Sequence, residues 1–195
     1  NSKSKAFAKM NCYSQTYRLP EDSKEIDVIN LIKSLNDNQK YHGILIQLPL
    51  PKHLDSQKIL NSVSSLKDVD GFHPMNLGKL LEGNPNFIPC TPNGIIEILK
   101  FYNIKTLGKH VVIVGRSNIV GKPMFALLSQ KFEKGNATVT ICHTKTKDIS
   151  YHTRQADIII AAVGVPKFIT SEMIKDDVIL IDVGINYIND KSVKG

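Results

Sequence analysis

The sequence has few cysteines, and their spacing suits neither a disulfide framework nor a zinc site. It has no tryptophan, and its three cysteines, Cys12, Cys90 and Cys142, lie far apart and form no C-x-x-C pair. An odd number of widely spaced cysteines indicates neither a disulfide framework nor a zinc site. We therefore expect no bound metal and a reducing compartment, the cytoplasm. Location in an organelle is the alternative, because any targeting segment would precede Asn1.

Long apolar runs and basic clusters are also missing. No apolar run approaches the roughly 18 residues that a membrane-spanning helix needs, and no signal peptide opens the chain. The formal net charge is +7, but the lysines are scattered and no basic run contains interleaved aromatic residues. We therefore expect neither a membrane partner nor nucleic acid. A generally basic surface suits attraction of an anionic small molecule.

Strands and helices alternate regularly in the second half of the chain. Hydrophobic residues make up 42% of the 195 residues and charged residues 22%, as in an ordinary globular protein. Alternation of this kind is typical of a parallel, doubly wound α/β sheet. The pattern predicts strands at 110–115, 137–142, 157–162 and 178–183, and helices at 119–131, 150–156 and 170–175.

The first of these strands leads into a glycine turn. It has no polar alternation, as expected of a strand covered on both faces, and Gly115 at its end permits a tight turn against a phosphate. The next helix would point its amide N–H groups at that phosphate. The spacing is irregular, because Ser117 replaces the second glycine of the usual dinucleotide motif and Gly121 comes one place late. A nucleotide site and an ordinary buried strand with a turn both explain the stretch.

The segment after the second strand favours one dinucleotide over the other. An acidic residue at this position binds a free ribose 2′-hydroxyl, whereas basic and hydroxyl residues accept a 2′-phosphate. Here no acid follows the strand, and Arg116, His143, Thr144 and Lys145 are available. We therefore predict NADP rather than NAD, with a polar loop as the alternative. Glycine turns at 163–166 and 182–186 follow the third and fourth strands.

The first half of the chain predicts a smaller unit. Residues 2–9 are compatible with a helix, and a second helix carries apolar residues at 28, 29, 32 and 35. We predict a buried strand from Gly43 to Leu48, and a short helix capped by Asp55. Gln47 is unusual in an apolar strand, because a buried amide needs partners. It is either a site residue or a satisfied structural amide.

The segment from Lys67 to Pro74 contains two carboxylates, Asp68 and Asp70, directly before a glycine. This arrangement fits a turn, a metal site or a pair of acceptors for a polar heterocycle. It lacks the ligand ladder of an EF-hand loop, and His73 before Pro74 is typical of a loop. Thr91 followed by Pro92 indicates the start of another helix and a domain boundary.

Several motifs together resemble the methylenetetrahydrofolate dehydrogenase/methenyltetrahydrofolate cyclohydrolase family. They occur in the family's order and spacing over nearly the whole chain. The matching stretches are 43–51, 67–74, 89–92, 115–123 and 182–186. The resemblance implies two α/β domains with a cleft between them: a folate-binding catalytic domain at 1–91 and a Rossmann-like NADP-binding domain at 92–195. It also implies a homodimer formed through the second domain.

The resemblance also assigns residues. Its catalytic lysine falls on Lys3, while Gln47 hydrogen-bonds that lysine and Asp70 binds the pterin ring of folate. The cofactor residues it implies are Gly115, Arg116, Ser117, His143, Thr144, Gly164 and Ile185. The family's active-site tyrosine would lie before Asn1, and its closing segment after Gly195.

The implied reactions are oxidation of 5,10-methylenetetrahydrofolate with NADP and hydrolysis of the 5,10-methenyl product to 10-formyltetrahydrofolate. Hydrolysis needs a group that titrates near neutrality, and a lysine partly desolvated beside Gln47 suits that role. The alternative is a catalytically incomplete relative that only binds folate or nucleotide. The joint presence of Lys3, Gln47 and Asp70 speaks against that alternative.

Overall fold

The computed structural model describes residues 2–185, which form helices and a parallel sheet. The helices are α1 (Ser2–Lys9), α2 (Glu25–Asp37), α3 (Ser56–Ser62), α4 (Pro74–Glu82), α5 (Cys90–Phe101), α6 (Gly121–Ser129) and α7 (Ile149–Thr153). The strands are β1 (His110–Val114), β2 (Thr138–Cys142), β3 (Ile158–Ala161) and β4 (Ile179–Asp182), and a 3₁₀ turn covers Ser171–Met173.

The sheet has the order β2-β1-β3-β4, and every neighbouring pair is parallel. Val111 and Ile113 of β1 pack into a core with α5 and α6. Val112 and Val114 point to the other face, where they pack with Ala156 and residues around α7. Helices therefore cover both faces, and the predicted doubly wound α/β sheet is confirmed.

A separate core lies under α2 and α3. Val28, Ile29 and Ile32 of α2 are buried against Ile59 and Val63, as the helical spacing of the apolar residues predicts. The predicted cap of α3 is also confirmed, because the Asp55 carboxylate accepts hydrogen bonds from the amides of residues 57 and 58 at 2.9 and 3.1 Å. Sequence periodicity therefore located α2 and α3 correctly.

The prediction of a strand from Gly43 to Leu48 is wrong: within the described part of the chain, residues 2–185, this segment forms no strand. Ile44 forms one parallel bridge with Asp68, and its amide donates to the carbonyl of Lys67 at 2.7 Å. A strand needs a continuous row of such bonds, and the described residues supply no further partner. A Cβ on Gly43 would lie 2.4 Å from the side chain of Val69, so the glycine keeps this segment against the 67–70 loop.

Two helix starts differ from prediction. Helix α5 begins at Cys90 with Pro89 as its N-cap, so Thr91 is not the cap. Pro92 is accommodated because amides of the first helical turn have no acceptor within the helix. Helix α4 was not predicted from the sequence. His73, expected in a loop, caps it through Nδ1, which accepts from an amide at 3.1 Å.

Leu80 of α4 is fully buried in the same core as α5 and α6. Helix α4, which belongs to the first predicted domain, is therefore packed onto the sheet layer of the second. The boundary after residue 91 stays a prediction. No helix in the described part of the chain combines the length and the apolar character that crossing a bilayer demands.

We predict that Asp55→Ala lowers the free energy of unfolding by about 1 kcal/mol, because α3 loses its N-terminal acceptor. Urea denaturation followed by circular dichroism measures the change. Asp55→Ser keeps an acceptor and should recover most of it. Asp22→Ala removes an exposed carboxylate that caps no helix, and an equal loss in that variant would contradict the assignment.

Candidate active site

The carboxyl ends of β1, β2, β3 and β4 meet at one edge of the sheet. Gly115 donates its amide to the carbonyl of Cys142 at 2.9 Å, and the amide of Ala162 donates to that of Val114 at 2.8 Å. The chain passes from β1 to β2 on one side and then to β3 on the other, so the strand order reverses beside β1. Ligands of open α/β sheets bind at such a reversal.

Gly115 and Gly121 allow the backbone to pack closely at this edge. Gly115 has φ +132, and a Cβ there would lie 2.4 Å from the carbonyl oxygen of Ala162 at the end of β3. A Cβ on Gly121 would lie 2.1 Å from the carbonyl oxygen of Gly115. The late glycine in the motif therefore lets α6 approach the turn.

Ser117 has a role that the sequence did not reveal. Its hydroxyl oxygen accepts from the amides of Val120 at 3.0 Å and Gly121 at 3.4 Å, and its carbonyl accepts from the amide of Lys122 at 3.0 Å. The prediction that the first amides of α6 face a phosphate is therefore wrong for these three, because Ser117 already satisfies them. A hydroxyl that accepts twice still has its own proton to donate.

The turn after β2 presents the residues predicted for the adenosine end. The Nδ1 atom of His143 accepts from the amide of Lys145 at 3.1 Å, and the amide of His143 donates to the hydroxyl of Thr146 at 2.9 Å. A neutral His143 with Nδ1 occupied in this way carries its proton on Nε2 and presents a donor. Thr144 and Arg116 are exposed at the same edge.

Gly164 and Ile185 follow the ends of β3 and β4. Gly164 has open space around its Cα, and the side chain of Ile185 is exposed. The structure therefore brings all the predicted cofactor residues to one edge of the sheet. Their contact with a cofactor stays a prediction, and Asn186 of the last motif lies outside the described residues.

The residues predicted for catalysis meet elsewhere in the chain. The Lys3 ammonium donates to Gln47 Oε1 at 3.0 Å, and Gln47 Nε2 donates to the carbonyl of Leu48 at 3.0 Å. The amide oxygen of Gln47 is thus directed at the lysine from 44 residues away in sequence. The partial desolvation expected for Lys3 is not seen, because α1 lies on the surface and leaves the side chain exposed.

The two carboxylates of the 67–74 segment have different environments. Asp68 is buried, and its Oδ2 accepts from the amide of His73 and from the side chain of Asn76, both at 2.8 Å. Asp68 therefore holds the loop. Asp70 is partly buried, and its carboxylate faces the thiol of Cys90 with 3.9 Å between Sγ and Oδ1. The turn interpretation holds for the first carboxylate only.

Burial raises the pKa of Asp70 above its ordinary value. The positive charge of Lys3 opposes this rise, the charge of Asp68 adds to it, and the hydrogen bond from Cys90 opposes it. Lys3 therefore acts on both Gln47 and Asp70. Cys90 was missed as a site residue, although the quoted motif at 89–92 contains it.

Among residues 2–185, no group of three or more His, Cys, Asp or Glu side chains could hold a metal ion. The described residues instead present two groups of interest: a lysine, an amide and a carboxylate in contact or electrostatic reach, and a glycine-containing edge of a parallel sheet. Together they define an α/β enzyme of the nucleotide-binding class.

Comparison with protein families narrows this class. The profile described as "Tetrahydrofolate dehydrogenase/cyclohydrolase, NAD(P)-binding domain" matches residues 89–195, and the profile of the catalytic domain of the same family matches residues 1–70. The chain belongs to the tetrahydrofolate dehydrogenase/cyclohydrolase family. The resemblance found in the sequence motifs is confirmed.

Individual relatives agree with this assignment. The chain is 51% identical to the "Bifunctional protein FolD" of Exiguobacterium sibiricum over 98% of its own length and 68% of that protein. It is 51% identical to the protein of the same name from Chlamydia muridarum over 100% of this chain and 68% of that one. It therefore spans about two thirds of the length of these relatives.

Solved structures agree as well. The bifunctional FolD methylenetetrahydrofolate dehydrogenase/cyclohydrolase of Campylobacter jejuni superposes with a TM-score of 0.90 at 48% identity, over 96% of this chain and 66% of that one. The Trypanosoma brucei dehydrogenase-cyclohydrolase, solved with NADP and an inhibitor, superposes with a TM-score of 0.89 at 34% identity. The match covers 98% of this chain and 65% of that one. The fold described above is thus that of the family.

We predict that Gly115→Ala destabilises the protein by about 1–3 kcal/mol, because alanine at this φ is strained and its Cβ meets the backbone of Ala162. Thermal unfolding measures the loss. Gly78→Ala is the matched control, since a Cβ at that helical position has nothing within 4 Å. If Gly115→Ala unfolds at the wild-type temperature, the close approach of β1 and β3 is not a steric requirement.

Proposed function

We propose that the protein oxidises 5,10-methylenetetrahydrofolate with NADP and hydrolyses the 5,10-methenyltetrahydrofolate formed to 10-formyltetrahydrofolate. The observation that carries the proposal is the contact between Lys3 and Gln47, with Asp70 within electrostatic reach of the same lysine. Family membership supports both activities. The proposed architecture is a folate domain at 1–91 and a Rossmann-like domain at 92–195, with folate and NADP meeting in the cleft between them.

The residues at the sheet edge fit NADP. Gly115 and Gly121 let the turn pack closely against β3 and the start of α6, because a Cβ at either position would clash with the backbone. A turn without side chains at these two positions is suited to bring its backbone to a pyrophosphate. Arg116 would hold the 2′-phosphate, and the hydroxyl proton of Ser117 would be donated to a phosphate oxygen of the cofactor. Gly164 and Ile185 would lie by the nicotinamide. NADP, when bound, supplies the acceptor for the hydride that leaves the one-carbon bridge.

The 2′-phosphate would lie beside Arg116, His143 and Thr144. The guanidinium offers a planar set of donors suited to phosphate, and His143 adds Nε2–H because Lys145 occupies Nδ1. The turn from Thr144 to Lys147 contains no carboxylate that would favour a ribose hydroxyl. These features support NADP over NAD.

Lys3, Gln47 and Asp70 would position the folate. Asp70 accepts hydrogen bonds from the N–H groups of the pterin ring, and Gln47 orients Lys3 through the bond at 3.0 Å. Oxidation then depends mainly on alignment of the reacting carbon with the cofactor. In the hydrolysis, water adds to the methenyl carbon and Lys3 transfers protons as the ring opens. Folate bound over Gln47 would itself cover the exposed lysine.

A coupled assay tests the proposal. Protein, 5,10-methylenetetrahydrofolate and NADP should give NADPH absorbance first and then decay of the methenyl absorbance. Absence of both changes would refute the enzymatic activity and leave a relative that only binds its ligands.

We further propose that the protein is a homodimer located in the cytoplasm. Size-exclusion chromatography with light scattering would test the dimer, and cell fractionation would test the location.

We predict that Lys3→Met lowers the rate of methenyl hydrolysis by about 10²- to 10⁴-fold, the usual contribution of a general acid–base group. NADP affinity, measured by calorimetry, should stay at the wild-type value, because Lys3 does not belong to the sheet edge. Lys5→Met, on the same helix, is the control. Full hydrolytic activity in Lys3→Met would remove Lys3 from this role.

We predict that Arg116→Ala raises KM for NADP by about 10- to 100-fold, since a hydrogen bond to a charged group contributes about 1.5–3 kcal/mol. KM for NAD should change little, because NAD has no 2′-phosphate. Arg18→Ala, which removes an exposed arginine far from the sheet edge in sequence, controls for the loss of positive charge. Equal effects on both dinucleotides would refute 2′-phosphate recognition by Arg116.

A further inference from the structure

The contact between Asp70 and Cys90 connects the two segments of the chain that the two family profiles match. Residue 70 is the last one matched by the catalytic-domain profile, and the match to the NAD(P)-binding profile begins at residue 89. The Cys90 thiol donates to Asp70 Oδ1 with 3.9 Å between sulfur and oxygen. A residue at the first turn of α5 thus reaches the carboxylate proposed to hold the pterin.

A glycine makes this contact possible. Gly71 has φ +69, and a Cβ there would lie 3.2 Å from the carbonyl oxygen of Phe87 and from two atoms of Pro89. A side chain at residue 71 would push the 68–71 loop away from the start of α5. Because Pro89 is buried and caps α5, the position of Cys90 is fixed by the core and not by a flexible loop.

The thiol is held in the state that donates. Burial raises the pKa of Cys90, and the negative charge of Asp70 raises it further, while Lys3 opposes both effects. The first turn of a helix usually favours a thiolate, but here the neighbouring carboxylate counteracts it. In return, the hydrogen bond from the thiol favours the charged form of Asp70.

We propose that Cys90 is a positioning residue for Asp70: its S–H donates to Oδ1, fixes the orientation of the carboxylate and leaves Oδ2 to accept from the pterin. The role in substrate binding rests on the proposed function, whereas the hydrogen bond itself does not. A thiol is a weak donor, so its removal should change folate KM several-fold and leave kcat nearly unchanged.

The first experiment needs no folate. The rate of alkylation of Cys90 by iodoacetamide is measured against pH by mass spectrometry, with the exposed Cys12 as internal reference. Asp70→Asn should move the Cys90 profile to lower pH, because the carboxylate no longer disfavours the thiolate. Lys3→Met should move it to higher pH. Local unfolding would not produce shifts of opposite sign, and unchanged profiles in both variants would overturn the hydrogen bond.

The second experiment measures kcat/KM for folate against pH. Loss of the thiol raises the pKa of Asp70, so Cys90→Ala should shift the acid limb to higher pH. Cys90→Ser retains a donor and should shift it less, and Cys12→Ser should leave it in place. Identical profiles for Cys90→Ala and wild type would overturn the positioning role. A wild-type protein without turnover would refute the proposed function, while the alkylation result would still decide on the hydrogen bond.

Discussion

Strand β1 is covered on both faces by helices and flanked on both edges by strands, and the arrangement of the sheet depends on this central position. Its residues from Val111 to Val114 are at most 1% exposed, and hydrogen bonds to β2 and β3 occupy both of its edges. A strand buried in this way has to be apolar on both faces. The chain can leave it only at the carboxyl end, where Gly115 turns against Ala162. The place of the proposed cofactor site follows from this burial.

The proposed folate site is built differently, by loops that glycines hold together. Gly43 brings the segment of Gln47 against the loop of Asp70, and Gly71 brings that loop against the start of α5. Helix α1 then adds Lys3. The site therefore collects residues 3, 47, 70 and 90 from four separate segments of the predicted folate domain.

Two carboxylates one residue apart illustrate how packing divides roles. The buried Asp68 has its hydrogen bonds satisfied by its own loop and by α4. Asp70 is partly desolvated. Burial raises its pKa, and Lys3 and Cys90 oppose that rise. Desolvation and neighbouring charge, not residue type, decide which of the two is available to a ligand. For Ser117 the deciding factor is a local contact, because its hydroxyl accepts from the amides of Val120 and Gly121 at the start of α6.

The sequence alone determined the elements whose signal is local: the apolar strands of the sheet, the helical spacing of α2, and the cap at Asp55. Motif spacing was also enough to reveal the family. Tertiary structure decided the rest, because it depends on partners distant in sequence. Residues 43–48 form a single bridge instead of a strand, α5 starts at Cys90, and the thiol of Cys90 contacts Asp70. No local pattern encodes such contacts, since they arise only when separate segments pack together.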